Sequence, residues 1–378
     1  MPRTKKFVLP FNLYPDNAFE RKKFKLFDHI KNNRTFSLSH ISRTSSFSAG
    51  NVRKYAEEWQ KKGLCVYNES EKGDLTLVFE PDILFIGVGF TEDKCIISTV
   101  DNLLEVRGVQ EIAIPPLSSF RGRKKEVTEI LERVRKSIIL DRSDAQYCGV
   151  AVPRQVISAD PKLPGYLVGG LSRIINCNTF FCQSTAAAAY AERELLRGPV
   201  SPEALYMYSD KGSGVVIKEG AVITSKESEK LETAFYLREW DHLSIVETAR
   251  KLVSKGIGTI IVDKAGTDVG NIDLDAVLRS AEENDELAMD LVKRSALALG
   301  VRAAYLMNVF GIRVMILGGG LQKIEGNYAG FLSESVKRFT LKEIAEKLDI
   351  KPGELADKAD SIGAAALCRR ESFTEVKI

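Results

Sequence analysis

"FKLFDHIKNNRTFSLSHISRTSSFSAGNVRKYAEEWQKKGLCVYNESEKGDLTLVFEPD", Phe24 to Asp82, spells out a small domain in order. Phe24, Leu26, Phe27 and Ile30 predict a short amphipathic helix ending near Asn33. Ser37 suits the N-cap of a second short helix that carries Leu38 and Ile41. The turn TSSFS follows. Ser48 then suits the cap of a third helix, with Val52, Tyr55, Ala56 and Trp59 on one face and Gly63 as its stop. LCVY and LTLVF alternate as two strands around the polar turn NESEKGD. Three helices, a tight turn between the last two, and a hairpin make a winged helix-turn-helix.

In that geometry the third helix enters the major groove, with its N-terminal residues nearest the base edges. Its exposed residues are expected to be Ser48, Ala49, Gly50, Asn51, Arg53 and Lys54. Asn and Arg make bidentate contacts to adenine and guanine edges. Ser37, Ser39, Arg43, Thr44 and Ser45 are placed for phosphate contacts, which position without specifying. Lys72, at the wing tip, is placed to reach a backbone or a minor groove. Gly50 costs about 1 kcal/mol against Ala inside a helix. Either it lets DNA approach closely or it only weakens the helix.

The charge agrees with a polyanion-binding head. Residues 1–80 carry 15 Lys and Arg against 9 Asp and Glu; the remainder carries 39 against 42. The chain has 378 residues and a hydrophobic share of 44%. No apolar run reaches the roughly 18 residues of a membrane helix, and the N-terminus does not read as a signal peptide. The six cysteines are scattered without a CxxC pair. They read as reduced, mostly buried thiols of a cytoplasmic protein.

From Ile83 on, strands, glycine turns and helices alternate, which predicts an α/β body. DILFIGVGFTEDKCIISTVDNLLEV reads as two strands, YCGVAVP as a buried strand, and EALYMYSDKGSGVVIKEGAVI as a hairpin. DLVKRSALALGVRAAYLMNVFG reads as a long buried helix, IRVMILGGGLQ as a strand into glycines, and ADSIGAAALCRR as the final helix. CQSTAAAAYAERELLRG, Cys182 to Gly198, is a helix with Ser184 or Thr185 as its cap. Its start, like the turns at Lys211–Gly214 (with Gly212) and at Gly318, Gly319 and Gly320, suits an anion. For each of the two glycine turns a tight turn is the commoner explanation.

In order and motif the chain from about residue 24 to 370 resembles the ROK family, the repressor, open-reading-frame and sugar-kinase group. The segments that carry the resemblance are the winged head, VAVP, LPGY, the Ser184 helix, KGSGVVIKEG and LGVRAAYLMNVFGIRVMILGGG. The resemblance implies the two-lobed, actin-like sugar-kinase fold with an N-terminal winged helix-turn-helix. It implies an arm over 1–23, the head over 24–81, a small lobe over 82–196 and a large lobe over 197–378, with the C-terminal helix returning to the small lobe. It also implies a cleft, for which Thr91, Asp93, Arg154, Lys162, Gln183, Ser184, Gly212, Gly214, Gly318, Gly319 and Gly320 are the candidate residues.

The departures from the family pattern concentrate at that cleft. The family's first phosphate loop resembles D-x-G-G-T-K; here it reads Gly89-Phe90-Thr91-Glu92-Asp93-Lys94, with Gly89 in the acidic position. Glu92 and Asp93 place negative charge where phosphates would lie. Arg154 stands where V-P-G is usual, and Lys162 where a sugar-binding Asn precedes L-P-G. The family's N-D-A-N-A-A-A reads Gln183-Ser184-Thr185-Ala186-Ala187-Ala188-Ala189, so Ser184 holds the place of the general base. Such a base is worth about 10²–10⁴-fold, and a serine hydroxyl does not supply it near pH 7. The family's cysteine-rich zinc stretch has no counterpart in residues 224–252, where His242 stands alone. The fold of residues 224–270 without that metal is left open.

The expected function is that of a DNA-binding transcriptional regulator, a repressor, with a sugar-kinase-like effector body that is not an enzyme and holds no cofactor or metal. The expected partners are a duplex DNA operator, a sugar or sugar-phosphate effector, and a second copy in a homodimer or homotetramer. An active ATP-dependent sugar kinase and an effector-independent DNA-binding protein are the alternatives.

Overall fold

The first strand joins its sheet far out of sequence. In the computed structural model, which describes residues 8–11, 13, 18–31, 35–45, 47–69, 75–80, 82–91, 93–139, 145–195, 203–208, 213–218, 221–222, 245–319 and 327–374, β1 (Val8–Pro10) lies parallel to Asn178–Gln183. Phe11 stacks on Phe180 at 5.4 Å, which buries it. The stretch read as an arm therefore contributes an edge strand. It also contains the start of α1 (Ala18–Ile30), which begins and ends a few residues earlier than its apolar positions suggest.

β2 (Thr35–Ser37) was not anticipated from the sequence. It runs directly into α2 (Leu38–Thr44), where the Ser37 Oγ accepts the His40 N–H at 3.2 Å. α3 (Ala49–Lys61) starts at Ser48, whose Oγ accepts the Asn51 N–H at 3.4 Å. It buries Val52, Ala56 and Trp59 and is followed by Gly63 at φ +72°, a conformation that favours glycine. β3 (Cys65–Glu69) and β4 (Leu75–Phe79) form the antiparallel hairpin, and β2 pairs with the other side of β4.

β5 (Leu84–Phe90), β6 (Lys94–Asp101) and β7 (Val106–Ala113) continue as an antiparallel meander. Then come α4 (Lys124–Ser137), β8 (Ala145–Val152), α5 (Arg154–Ala159), α6 (Leu163–Ile175), β9 (Asn178–Gln183) and α7 (Ser184–Leu195). β8 and β9 are parallel to β5, giving the order β1-β9-β8-β5-β6-β7. Val88, Phe90, Ile97 and Val150 pack with Ile130 and Val134 of α4 and Leu167 and Leu171 of α6. Each such side chain contributes about 1.5–3 kcal/mol on full burial.

The C-terminal helix, Ala359–Thr374, packs against β5, β8 and α7, and every residue in it is buried. Missing side chains make the approach possible. A Cβ on Gly87 would lie 1.8 Å from Ser361 O, one on Gly149 2.2 Å from Ala364 O, and one on Gly363 1.9 Å from Ala187 O. The alanines 186–189 serve the same backbone-close packing.

These elements form one compact unit, residues 1–196 with 357–378; residues 197–356 form a second. The second has the sheet order β12-β11-β10-β13-β14, from β10 (Ala204–Tyr208), β11 (Ser213–Lys218), β12 (Ala221–Val222), β13 (Val314–Gly318) and β14 (Asp349–Pro352). The long helix Glu286–Phe310 is capped by Asp285, whose carboxylate accepts the Ala288 N–H at 2.9 Å, and it ends at Gly311 with φ +69°. Of the segment left open above, Ile245–Ser254 and Ile261–Lys264 are helical. Among the described residues no helix is long and apolar enough to cross a membrane.

Candidate functional site

Two groups of residues have the chemistry of a site. The first is on the head. Ser48, Ala49, Gly50, Asn51, Arg53 and Lys54 are all exposed, because burial of Val52, Ala56 and Trp59 turns the rest of α3 outward. A Cβ on Gly50 would meet nothing within 4 Å, so internal packing does not require this glycine. Arg43 is exposed and its Nε donates to Ser39 O at 3.3 Å. Several hydroxyls expected at phosphates also have internal roles. Ser37 caps α2 and meets the Ser39 Oγ at 2.8 Å. Thr44 Oγ1 meets His29 Nε2 at 2.6 Å and donates to His40 O at 2.8 Å. Ser45 Oγ accepts the Phe47 N–H. His29 and His40 flank Thr44, and their rings stack with centroids 6.3 Å apart. Lys72 lies outside the described residues.

The second group lies at the carboxyl ends of β5, β8 and β9, the edge of a parallel sheet where ligands bind. Val88 faces Val150, and Val152 faces Gln183, so these ends are side by side. Gln183 is the last residue of β9, Thr91, Arg154 and Ser184 follow within two residues of the strand ends, and Lys162 precedes α6. Ser184 is the first residue of α7 rather than a cap before it, because β9 passes into the helix without a loop. Its Oγ is buried and has no hydrogen-bond partner among the described residues. Burial pushes the pKa of the neighbouring Cys182 thiol up, which disfavours the thiolate.

The turn after β5 is closed on itself. Thr91 N–H donates to Lys94 O at 2.9 Å, and Ile114 N–H to Asp93 O at 2.8 Å. Lys94 Nζ donates to Glu111 at 2.7 Å; this bond raises the Lys94 pKa and lowers that of Glu111. The Lys94 ammonium is thus engaged with Glu111 of β7. At Gly89 a Cβ would lie 2.6 Å from Ser361 N and 2.7 Å from the Asp360 Cβ. The space for an acidic side chain there is filled by the start of the C-terminal helix, so these residues do not fit a Mg-nucleotide held in the family manner.

In the second unit, a Cβ on Gly214 would meet Met207 Sδ at 2.4 Å, and one on Gly318 the Tyr206 Oη at 2.1 Å. Close packing accounts for both glycines. Gly319 has φ +96°, which favours glycine. Gly212, Gly320, Glu92 and His242 lie outside the described residues. No cysteine occurs between Cys182 and Cys368, so the family's zinc donor set is not available. Among the described residues no cluster of His, Cys, Asp and Glu could hold a metal ion.

Comparison with known proteins places this geometry. The model of the ROK family matches residues 256–371. An uncharacterised protein of Clostridium perfringens is 22% identical over 251 residues, 64% of this chain and 82% of that one. Among solved structures, a ROK family transcriptional regulator, a homologue of the E. coli MLC protein, superposes with TM-score 0.66 at 14% identity, over 95% of this chain and 98% of its own. A ROK family glucokinase from Streptomyces griseus, in complex with glucose and AMPPNP, superposes with TM-score 0.60 at 17% identity, over 76% and 99%. At these identities the structures establish a shared two-lobed α/β fold.

Proposed function

We propose that this chain belongs to the ROK family, whose model matches residues 256–371, and is a DNA-binding transcriptional repressor whose sugar-kinase-like body does not transfer phosphate. The observation that carries the reading is the outward face of α3. A capped helix presents Asn51, Arg53 and Lys54 to solvent from a three-helix head with a β2-β4-β3 sheet, which is the layout of a winged helix-turn-helix. The basic balance of residues 1–80 supports it. So does coverage: the regulator fold spans 95% of the chain and the glucokinase fold 76%, a difference about the size of the head.

Two observations support a non-catalytic body. On the ROK resemblance Ser184 takes the place of the general base, and the C-terminal helix fills the space beside Gly89. The groups at the carboxyl ends of β8 and β9, Arg154, Lys162 and Gln183, suit an anionic effector such as a sugar phosphate. Selection of bound sequences from a random duplex pool tests the main reading. Enrichment of an inverted repeat supports it, and a pool that stays random rejects it.

A further inference from the structure

The head is not tethered by a free linker. Four residues, 80–83, separate β4 from β5, and the head rests on the last turns of the C-terminal helix. Trp59, on the buried face of α3, donates its Nε1–H to Phe373 O at 2.9 Å. Lys62, just after α3, donates to Ser372 O at 3.2 Å. The Phe373 ring lies 5.5 Å from Phe27, 5.4 Å from Trp59 and 5.3 Å from Phe79.

One turn earlier is Arg369, 1% exposed. Its Nη2 donates to Lys31 O, just past the end of α1, at 2.9 Å. Its Nε donates to Asn102 Oδ1 in the β6–β7 turn at 3.2 Å, and Asn102 Nδ2 donates to Leu64 O in the head at 2.8 Å. The guanidinium also lies 5.2 Å from the Phe27 ring and 5.9 Å from Phe79. Among the described residues no carboxylate forms an ion pair with it. Burial lowers its pKa to about 10, so the protein bears a desolvation cost for holding this cation.

An apolar residue of similar volume would fill the space at lower cost. The guanidinium adds direction. Its donors are planar and fixed, and they engage the head and the body together. Rings alone would let the head slide; the Arg369 donors, added to the Trp59 and Lys62 bonds, select one orientation.

We propose that Arg369 is the positioning residue that fixes the direction in which α3 is presented, and so sets the half-site separation that a pair of heads accepts on duplex DNA. This rests on the DNA-binding reading above. The test uses the full chain with two kinds of duplex: a single selected half-site, and inverted repeats of it with the spacer varied across one helical turn. The wild type should favour one spacing by about tenfold or more over the others, the gain of engaging two heads at once. Arg369→Met should bind the single half-site within about threefold of wild type. It should lose the spacing optimum, with affinity spread across the series. Arg369→Lys keeps the charge but not the two-point fork, so it should broaden the optimum partially; it also serves if the Met variant does not fold. A sharp optimum retained by both variants overturns the proposal, as does a wild type indifferent to spacing. A wild type that enriches no duplex rejects the DNA-binding reading itself.

Discussion

Gly89 faces the first turn of the C-terminal helix so closely that a Cβ there would lie 2.6 Å from the Ser361 amide nitrogen. Ser361 is held in place, since its Oγ meets the Ser98 Oγ at 2.7 Å. The neighbour is backbone, which cannot rotate away. Gly89→Ala should therefore cost about 1–3 kcal/mol of stability. Gly89→Asp should cost more, because its carboxylate would crowd Asp360. Denaturant titration checks both. An unchanged midpoint for Gly89→Asp would show that the helix end yields.

The purified protein should show no sugar-dependent phosphoryl transfer, and Ser184→Asp alone should not restore it, since Gly89 and Lys162 also depart from the kinase pattern. A coupled ATPase assay with glucose, N-acetylglucosamine, mannose and fructose reads this. Turnover above background that a Ser184 or Arg154 substitution abolishes contradicts the reading.

Ser184→Ala should leave stability unchanged or raise it by about 1 kcal/mol, because it removes a buried hydroxyl that has no partner among the described residues. A loss of 2 kcal/mol or more, on the order of a broken buried hydrogen-bond network, would mean that the hydroxyl is engaged. Thermal and chemical denaturation both measure it.

The six cysteines are all buried as free thiols. Burial raises the pKa of Cys65 to about 12 and pushes Cys95, Cys148, Cys182 and Cys368 up as well. A thiol-specific disulfide reagent at pH 8 should find almost none of them before unfolding and all six in denaturant. The sign for stability follows. Folded pKa values above the unfolded one leave the stabilisation intact below the ordinary thiol range. It is lost as pH rises, when unfolded thiols ionise and folded ones do not. The denaturation midpoint should therefore fall above about pH 9. Rapid native labelling at pH 8 would refute the burial argument.

On the selected operator, Arg53→Ala and Asn51→Ala should each weaken binding by about 1–3 kcal/mol and relax the preference at one base position. Lys72→Ala should weaken all sequences alike and flatten the salt dependence. If the Arg53 variant binds as wild type does, α3 is not the reading element.

Much of this protein is legible locally. The caps at Ser37 and Ser48, the buried stripe Val52–Ala56–Trp59, the stop at Gly63 and the two wing strands follow from spacing and side-chain chemistry within a few residues. β5, β6, β8, β10, β11, β13 and the long helix 286–310 follow from apolar runs in the same way, whereas the mostly exposed β7, and β9 and β14, were not read from the sequence. β2 and β1 were missed for a common reason: three-residue strands carry no periodicity, and pairing partners elsewhere in the chain define them.

The sequence by itself determined the helices and wing strands of the head, the charge of the head and the presence of Gly and Ser at positions 89 and 184, because each of these is a property of residue type and local spacing. Only the tertiary structure decided why Gly89, Gly87, Gly149 and Gly363 lack side chains and what the "CRRESF" end of the chain does. The glycines answer to the backbone of a helix far away in sequence, where a Cβ has no room. Arg369 reads in the sequence as a charge on a closing helix, where solvent would be the natural expectation. It is buried because Lys31, Asn102, Phe27 and Phe79, scattered through the first third of the chain, converge on it. Convergence of this kind arises from packing alone, and no window of sequence contains it.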